Sequence, residues 1–240
     1  LEHTRLNYGA YFQTWDSRYV PSEGLGRMDL GNAIFSKYPI SQAERIRQVD
    51  RTDQDTVTAT FYIHRMIGRT VIDVGDDRSV TALVVHTEAY DQDGTKGKQI
   101  QQIYDEVKKE KRPFVLGGDF NELPPTALKL ERFPDEPASS VGTEFEQPPY
   151  TPEVMQKFYD DFVPHISLDR YGATEEEQRR FFTHTIAGPG HVDSEGNPQF
   201  WNRTLDYLFI PKTEGWKDGT TDVLQTDGRL GIKSNPLWLS

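Results

Sequence analysis

The chain has 240 residues, with 27 lysines and arginines against 38 aspartates and glutamates, a formal net charge of −11 and no cysteine. That length is enough to bury a large core, and 35% hydrophobic with 12% aromatic residues describes a chain that folds rather than a disordered one. A mean hydropathy of −0.70 without a long apolar run excludes a membrane-spanning helix, and the missing cysteines exclude disulfides, zinc–thiolate centres and thiol catalysis.

In chain order, residues 8–15 are aromatic and partly alternating, which predicts a strand, and the polar stretch 16–30 with Gly and Pro predicts a loop. Residues 32–36 read as a short strand and 42–50 as a strand or connector. Residues 56–64 (TVTATFYIH) are rich in β-branched and aromatic residues and predict a strand, as do 69–74 and 79–86, divided by the turn Gly75-Asp76-Asp77. These successive strands suit antiparallel neighbours. At 96–111 the period changes: Ile100, Ile103, Tyr104 and Val107 recur at helical spacing among Lys, Gln and Glu, which predicts a helix of about four turns packed on a sheet. Residues 113–116 form an apolar run that predicts a buried strand stopping at Gly117-Gly118. Helices are expected at 124–131, 152–162 and 174–182, the last opened by Thr174-Glu175-Glu176-Glu177. Residues 134–150 and 186–200 read as loops, and 204–210 as a strand. No repeat, low-complexity tract or linker divides the chain, so a single domain over 1–240 is expected.

The chemistry concentrates in Gly118-Asp119-Phe120-Asn121, where an acid and an amide stand together at a strand end. The acid can hold a hard cation, and the amide offers a neutral donor and acceptor; a phosphate with Mg²⁺ suits such a pair. The bland alternative is an Asx-type turn. Three further segments accompany it: Gly31-Asn32-Ala33-Ile34-Phe35-Ser36 with Lys37-Tyr38-Pro39-Ile40, Val84-Val85-His86-Thr87, and Thr204-Leu205-Asp206-Tyr207-Leu208-Phe209-Ile210. In this order they resemble the endonuclease/exonuclease/phosphatase (deoxyribonuclease I-like) superfamily, over roughly residues 8–240. That superfamily includes deoxyribonuclease I-like nucleases, abasic-site endonucleases, neutral sphingomyelinases and inositol polyphosphate 5-phosphatases.

The resemblance implies an α/β (α+β) fold, a four-layer sandwich of two mainly antiparallel sheets flanked by helices. It implies a phosphoester hydrolase, acting most simply on a diester by in-line attack of water, with Mg²⁺ (or Mn²⁺ or Ca²⁺) as cofactor. His86 is implied to contact the scissile phosphate, stabilising charge or protonating the leaving oxygen if neighbouring acids raise its pKa. Asp119 is implied to bind or orient metal and attacking water, Asn121 to hydrogen-bond a phosphate oxygen at the metal, and Asp206 to orient a catalytic histidine near the C-terminus. Beside these, Glu122 is expected outside the immediate site, Glu88 and Asp91 in a solvated loop, and Asn32 as a turn cap or a backbone partner near the site. His184 is expected to be structural more than substrate-facing, and His64 and His165 structural. Trp15, Trp201 and Trp216 could line a groove, though buried tryptophans are the commoner case.

The family's opening Asn and metal-binding acid have no match before Gly31, and its closing Ser-Asp-His is met only by Ser240. The natural protein is therefore expected to be longer at both ends. The chain starts at Leu1 without a visible signal peptide, so secretion or a periplasmic location stays open. The substrate is a small-molecule phosphoester, a lipid headgroup or nucleic acid. The acidic balance leans away from nucleic acid, since duplex binders carry a basic face. A non-catalytic binding domain on the same scaffold is the other functional class, and a monomer is expected.

Overall fold

The structure, a computed structural model, describes residues 5–20, 26–89, 93–130, 133, 153–184 and 201–223. The predicted loops at 134–150 and 186–200, Glu2, Asp91 and the chain end at Ser240 lie outside these residues. The fold is of the expected mixed α/β class, with two sheets and few helices. The chain divides into two compact units, Leu1–Asn121 with Tyr207–Glu214, and Glu122–Asp206 with Gly215–Ser240.

In the first unit, β1 (Tyr8–Val20) and β2 (Gly26–Ser36) form a two-stranded antiparallel sheet, with Tyr8 opposite Ser36 and Trp15 opposite Leu30. The predicted loop at 16–30 is thus mostly strand. Polar residues such as Asp16 and Asp29 are carried by cross-strand pairing, which local propensity does not register. The second sheet runs in the order β3 (Ile40–Arg47), β4 (Met66–Gly75), β5 (Arg78–His86), β6 (Phe114–Asp119), β8 (Asp206–Pro211). β3, β4 and β5 are successive antiparallel neighbours, as the sequence suggests. The β4–β5 turn is made at Asp76 and Asp77, with φ 53° and 56°. β6 lies parallel to β5, and such a pair needs a crossover, which α2 (Thr95–Lys108) supplies. This helix buries Ile100, Ile103 and Val107, the periodic face predicted for it.

The two sheets pack through Phe12. A side chain at Gly68 of β4 would occupy the Phe12 ring, so glycine there allows the close approach. His64 N–H donates to Thr14 O at 2.9 Å alongside this contact.

The strand predicted at 56–64 is instead the short helix α1 (Thr56–Thr60) followed by a turn. The Asp55 carboxylate accepts from the Val57 and Thr58 amides at 2.9 and 3.1 Å, a helix N-cap. Val57 and Phe61 stay exposed, so no sheet partner enforces the β-propensity of these residues. Over the described residues 124–130 of the next predicted helix, 124–131, no helix forms. Pro124 and Pro125 lack amide donors, and the Ala127 N–H closes a turn on Pro124 O.

The second unit holds α3 (Gln156–Asp161), β7 (Phe162–Pro164), α4 (Leu168–Tyr171) and α5 (Glu175–Arg179). α3 is shorter than expected because the chain turns extended at Phe162 ahead of Pro164. α5 starts with a capping box, in which Thr174 and Glu177 each satisfy the other's backbone. The buried clusters of this unit are Ile166, Tyr171 and Phe181, and Leu123, Phe133 and Leu205.

Candidate active site

The site of the first unit is built where β5 and β6 end. These strands pair in parallel register, so Val85 stands opposite Gly118 and His86 opposite Asp119. Gly118 has φ 145°, and a Cβ there would run into the backbone of Val85. The sequence suggests that the paired glycines admit a ligand. In the structure they admit neighbouring strands, Gly118 toward Val85 and Gly117 toward Leu208 of β8.

Phe120 fixes which way the Asp-x-Asn turn faces. Its ring is fully buried, edge-on to Tyr207 at 5.5 Å and to Phe209 at 6.2 Å between centroids. With Phe120 anchored inward, Asp119 is half-buried at the strand end and Asn121 is buried beside it. Asn121 takes φ 45°, in the left-handed region where asparagine is enriched. Its N–H donates to Asp119 Oδ1 at 2.7 Å, and its Nδ2 donates to Thr87 O at 3.0 Å. Thr87 closes the set by donating its N–H to Asp119 O at 3.0 Å and its hydroxyl to Phe120 O at 2.5 Å. The Asx-turn reading is therefore correct locally, and the turn carries the acid and the amide to one place.

His86 Nε2 lies 3.7 Å from Asp119 Oδ2, and the two side chains remain 42% and 26% exposed. Burial of the ring by surrounding protein, with the charge of Arg65 second, pushes the His86 pKa down to about 4. The expectation that neighbouring acids raise it fails, because burial first and the Arg65 charge second both favour the neutral ring. At neutral pH the imidazole is neutral and can donate through one nitrogen or accept through the other.

Glu88 is not in a solvated loop. It is 1% exposed, accepts a hydrogen bond from Tyr62 Oη, and lies 3.7 Å from Arg51 Nη1 and 3.8 Å from Arg65 Nε. These residues, with His64 and Gln99, line a cavity of about 90 Å³. His64 pairs with Asp50 at 2.9 Å, in keeping with a structural role. Asn32 lies opposite Phe12, and its Nδ2 is buried without a hydrogen-bond partner among the described residues. Lys96, the last residue of the polar segment that follows His86 and whose length suggests that it lines the site, is buried and donates from Nζ to Asn121 O at 2.9 Å. Its place in the first turn of a helix, where lysine is unfavourable, offered a further signal.

Asp206 belongs to the second unit. Its N–H donates to Thr183 Oγ1 at 3.0 Å, as does that of Leu205. Burial pushes its carboxyl up, opposed by a hydrogen bond with Thr183 and by His184. His184 thus neighbours Asp206. The sequence gives no local sign of this, since 22 residues separate them and an isolated bridge from His184 to Arg203 brings the segments together. Trp216 donates to Val163 O, a structural use.

Among the described residues, no cluster of three His, Asp or Glu side chains is placed to hold a metal ion. The first unit offers the Asp119 carboxylate and the Asn121 amide oxygen, whose Nδ2 is engaged by Thr87. These hard donors fit Mg²⁺, which takes one or two carboxylates and fills its shell with water and substrate phosphate, and do not fit a closed zinc site.

The chain belongs to the Endonuclease/Exonuclease/phosphatase family, whose sequence model matches residues 1–222. Its fold is thus of the phosphoesterase and nuclease type. No curated protein matches the chain. Among solved structures it is similar to an endonuclease/exonuclease/phosphatase from Beutenbergia cavernae, with 17% identity, TM-score 0.49, and coverage of 85% of this chain and 46% of the other. It is also similar to the catalytic domain of human Nocturnin, with 14% identity, TM-score 0.43, and coverage of 85% and 60%. The Bacteroides thetaiotaomicron mannosyl-6-phosphatase gives 11% identity, TM-score 0.43, and coverage of 85% and 63%. The chain therefore spans less than two thirds of each of these proteins.

Proposed function

We propose that the protein is a Mg²⁺-dependent phosphoesterase that hydrolyses a phosphodiester by in-line attack of water. The observation that carries this is the pairing of His86 with Asp119 at the ends of adjacent parallel strands, beside the left-handed turn that holds Asn121. When bound, Mg²⁺ supplies Lewis-acid polarisation of a phosphoryl oxygen, and Asp119 and Asn121 are the residues that would hold it. The Asp119 carboxylate orients the attacking water by accepting its hydrogen bond. The Asn121 amide orients a phosphoryl oxygen, its position set by the Thr87 carbonyl. Neutral His86 donates to phosphoryl oxygen as negative charge develops there, the electrostatic contribution that preorganised donors make best. In the second unit, Asp206 is the residue that would fix the orientation of a histidine imidazole. The net charge of −11 supports a small or lipid phosphoester over nucleic acid.

The test is hydrolysis of bis(4-nitrophenyl) phosphate, a phosphocholine lipid and an oligonucleotide, with Mg²⁺ and with EDTA. Asp119→Asn and His86→Ala are expected to lower kcat by at least about a hundredfold with an unchanged circular dichroism spectrum. A folded protein inert toward all three substrates with Mg²⁺, Mn²⁺ and Ca²⁺ would sink the proposal in favour of a binding domain.

A further inference from the structure

Lys96 sits where a lysine has two reasons not to be. It is 1% exposed, and an ammonium hidden from water loses solvation unless a partner replaces it. It is also the second residue of the 14-residue helix α2, whose N-terminal end disfavours a cation. An apolar side chain would fill this position without either cost. Its ammonium donates a hydrogen bond to the backbone oxygen of Asn121 at 2.9 Å, which an apolar side chain could not. Asn121 is the residue held at φ 45°, and its other bonds run to Asp119 Oδ1 and Thr87 O. The turn is thus gripped by Thr87 from the end of β5 and by Lys96 from the start of α2. These two attachments come from consecutive elements of the crossover that makes β6 parallel to β5.

We propose that Lys96 is a positioning residue, whose ammonium fixes the left-handed turn at Asn121 and so sets the Asn121 amide and the Asp119 carboxylate against His86. The inference deepens the phosphoesterase reading and rests on it for its catalytic consequence. Lys96 touches neither substrate nor metal in this role. It acts through the peptide of Asn121, and a small displacement of a preorganised group has a large kinetic effect.

The experiment uses the whole chain with Lys96→Met, Lys96→Arg and Lys96→Gln. It reads kcat and KM on bis(4-nitrophenyl) phosphate with Mg²⁺, and amide hydrogen exchange residue by residue. Lys96→Met is expected to lower kcat about 10- to 100-fold with KM changed less than about twofold. Exchange at the Asn121 amide is expected to quicken about tenfold, the equivalent of one lost hydrogen bond. Lys96→Arg restores most of both. Lys96→Gln is read in the same way should the methionine variant not fold. Unchanged exchange at Asn121 in a folded variant overturns the proposal, as does exchange quickened uniformly through β5, β6 and α2, which marks a lysine that only fills the core. If the wild type hydrolyses nothing, the phosphoesterase reading falls, and exchange at Asn121 alone decides the role of Lys96.

Discussion

Gly118→Ala strikes the fold and the site at one point. Gly118 is paired with Val85, one step before the His86–Asp119 pair, and has φ 145°. An L-residue at such φ is strained by roughly 1–3 kcal/mol. Its Cβ would also overlap the Val85 carbonyl and lie 2.9 Å from Val85 N, a backbone neighbour that cannot rotate away. Forcing strands apart to fit an extra methyl adds about 1–3 kcal/mol. The sum, about 2–6 kcal/mol, is a large share of the roughly 5–15 kcal/mol by which proteins are stable. Urea unfolding followed by tryptophan fluorescence should show the midpoint falling by about 1–2 M. Because strain at Gly118 is relieved by moving β6 off β5, the distance from His86 Nε2 to Asp119 Oδ2 should grow beyond 3.7 Å, and phosphodiester hydrolysis should fall even where the variant is fully folded. A variant with the wild-type midpoint and wild-type kcat would refute the reasoning, since the parallel register would then not depend on glycine.

Glu88→Ala removes a buried carboxylate from beside Arg65 and Arg51, of which Arg51 keeps its pair with Asp53, and should cost about 3–5 kcal/mol in urea unfolding. A loss below about 1 kcal/mol would mean that the arginines find other partners. Thr174→Ala removes the side-chain half of the α5 capping box and should cost about 1 kcal/mol, read as a fall in Tm without loss of activity. Asp93 has its carboxyl held well below the usual carboxylate range: burial acts in the other direction, but hydrogen bonds from Thr52 and Thr95 prevail. A depressed folded pKa gives stability that is complete above the unfolded value near 3.8 and is lost as pH falls below it. Asp93→Asn should therefore lower stability at pH 7 more than at pH 2.5, and an equal loss at both would rule out the ionic contribution.

Local signals were enough wherever one segment decides its own structure. The 3.6-residue period of Ile100, Ile103 and Val107 reports a helix face, and Thr174 to Glu177 reports a helix start, because the interactions lie within one turn. The same logic, read incompletely, misassigned 56–64: the capping carboxylate of Asp55 lies just outside the β-rich run and prevails because nothing covers that run. The apolar alternation at Tyr8–Trp15 was visible, but the extension of both hairpin strands through polar residues was not, since pairing with a distant partner is what holds them.

For the site, the sequence determined residue types and order. Asp119 and Asn121 fall on one turn because Phe120 between them must be buried, and β6 runs through Gly117-Gly118 to Asp119 rather than stopping at the glycines as the sequence predicts; His86 ends a strand of alternating burial. Tertiary structure alone decided that β5 and β6 are parallel and in the register that sets His86 against Asp119, because a one-residue slip would turn the side chains to opposite faces. It alone buried Glu88 between two arginines, brought His184 beside Asp206, and placed the Lys96 ammonium on Asn121. Electrostatic environment was equally out of reach of the sequence. The imidazole pKa is lowered first by burial, which only packing creates, and second by Arg65, which stands 21 residues before His86 and acts through space rather than along the chain.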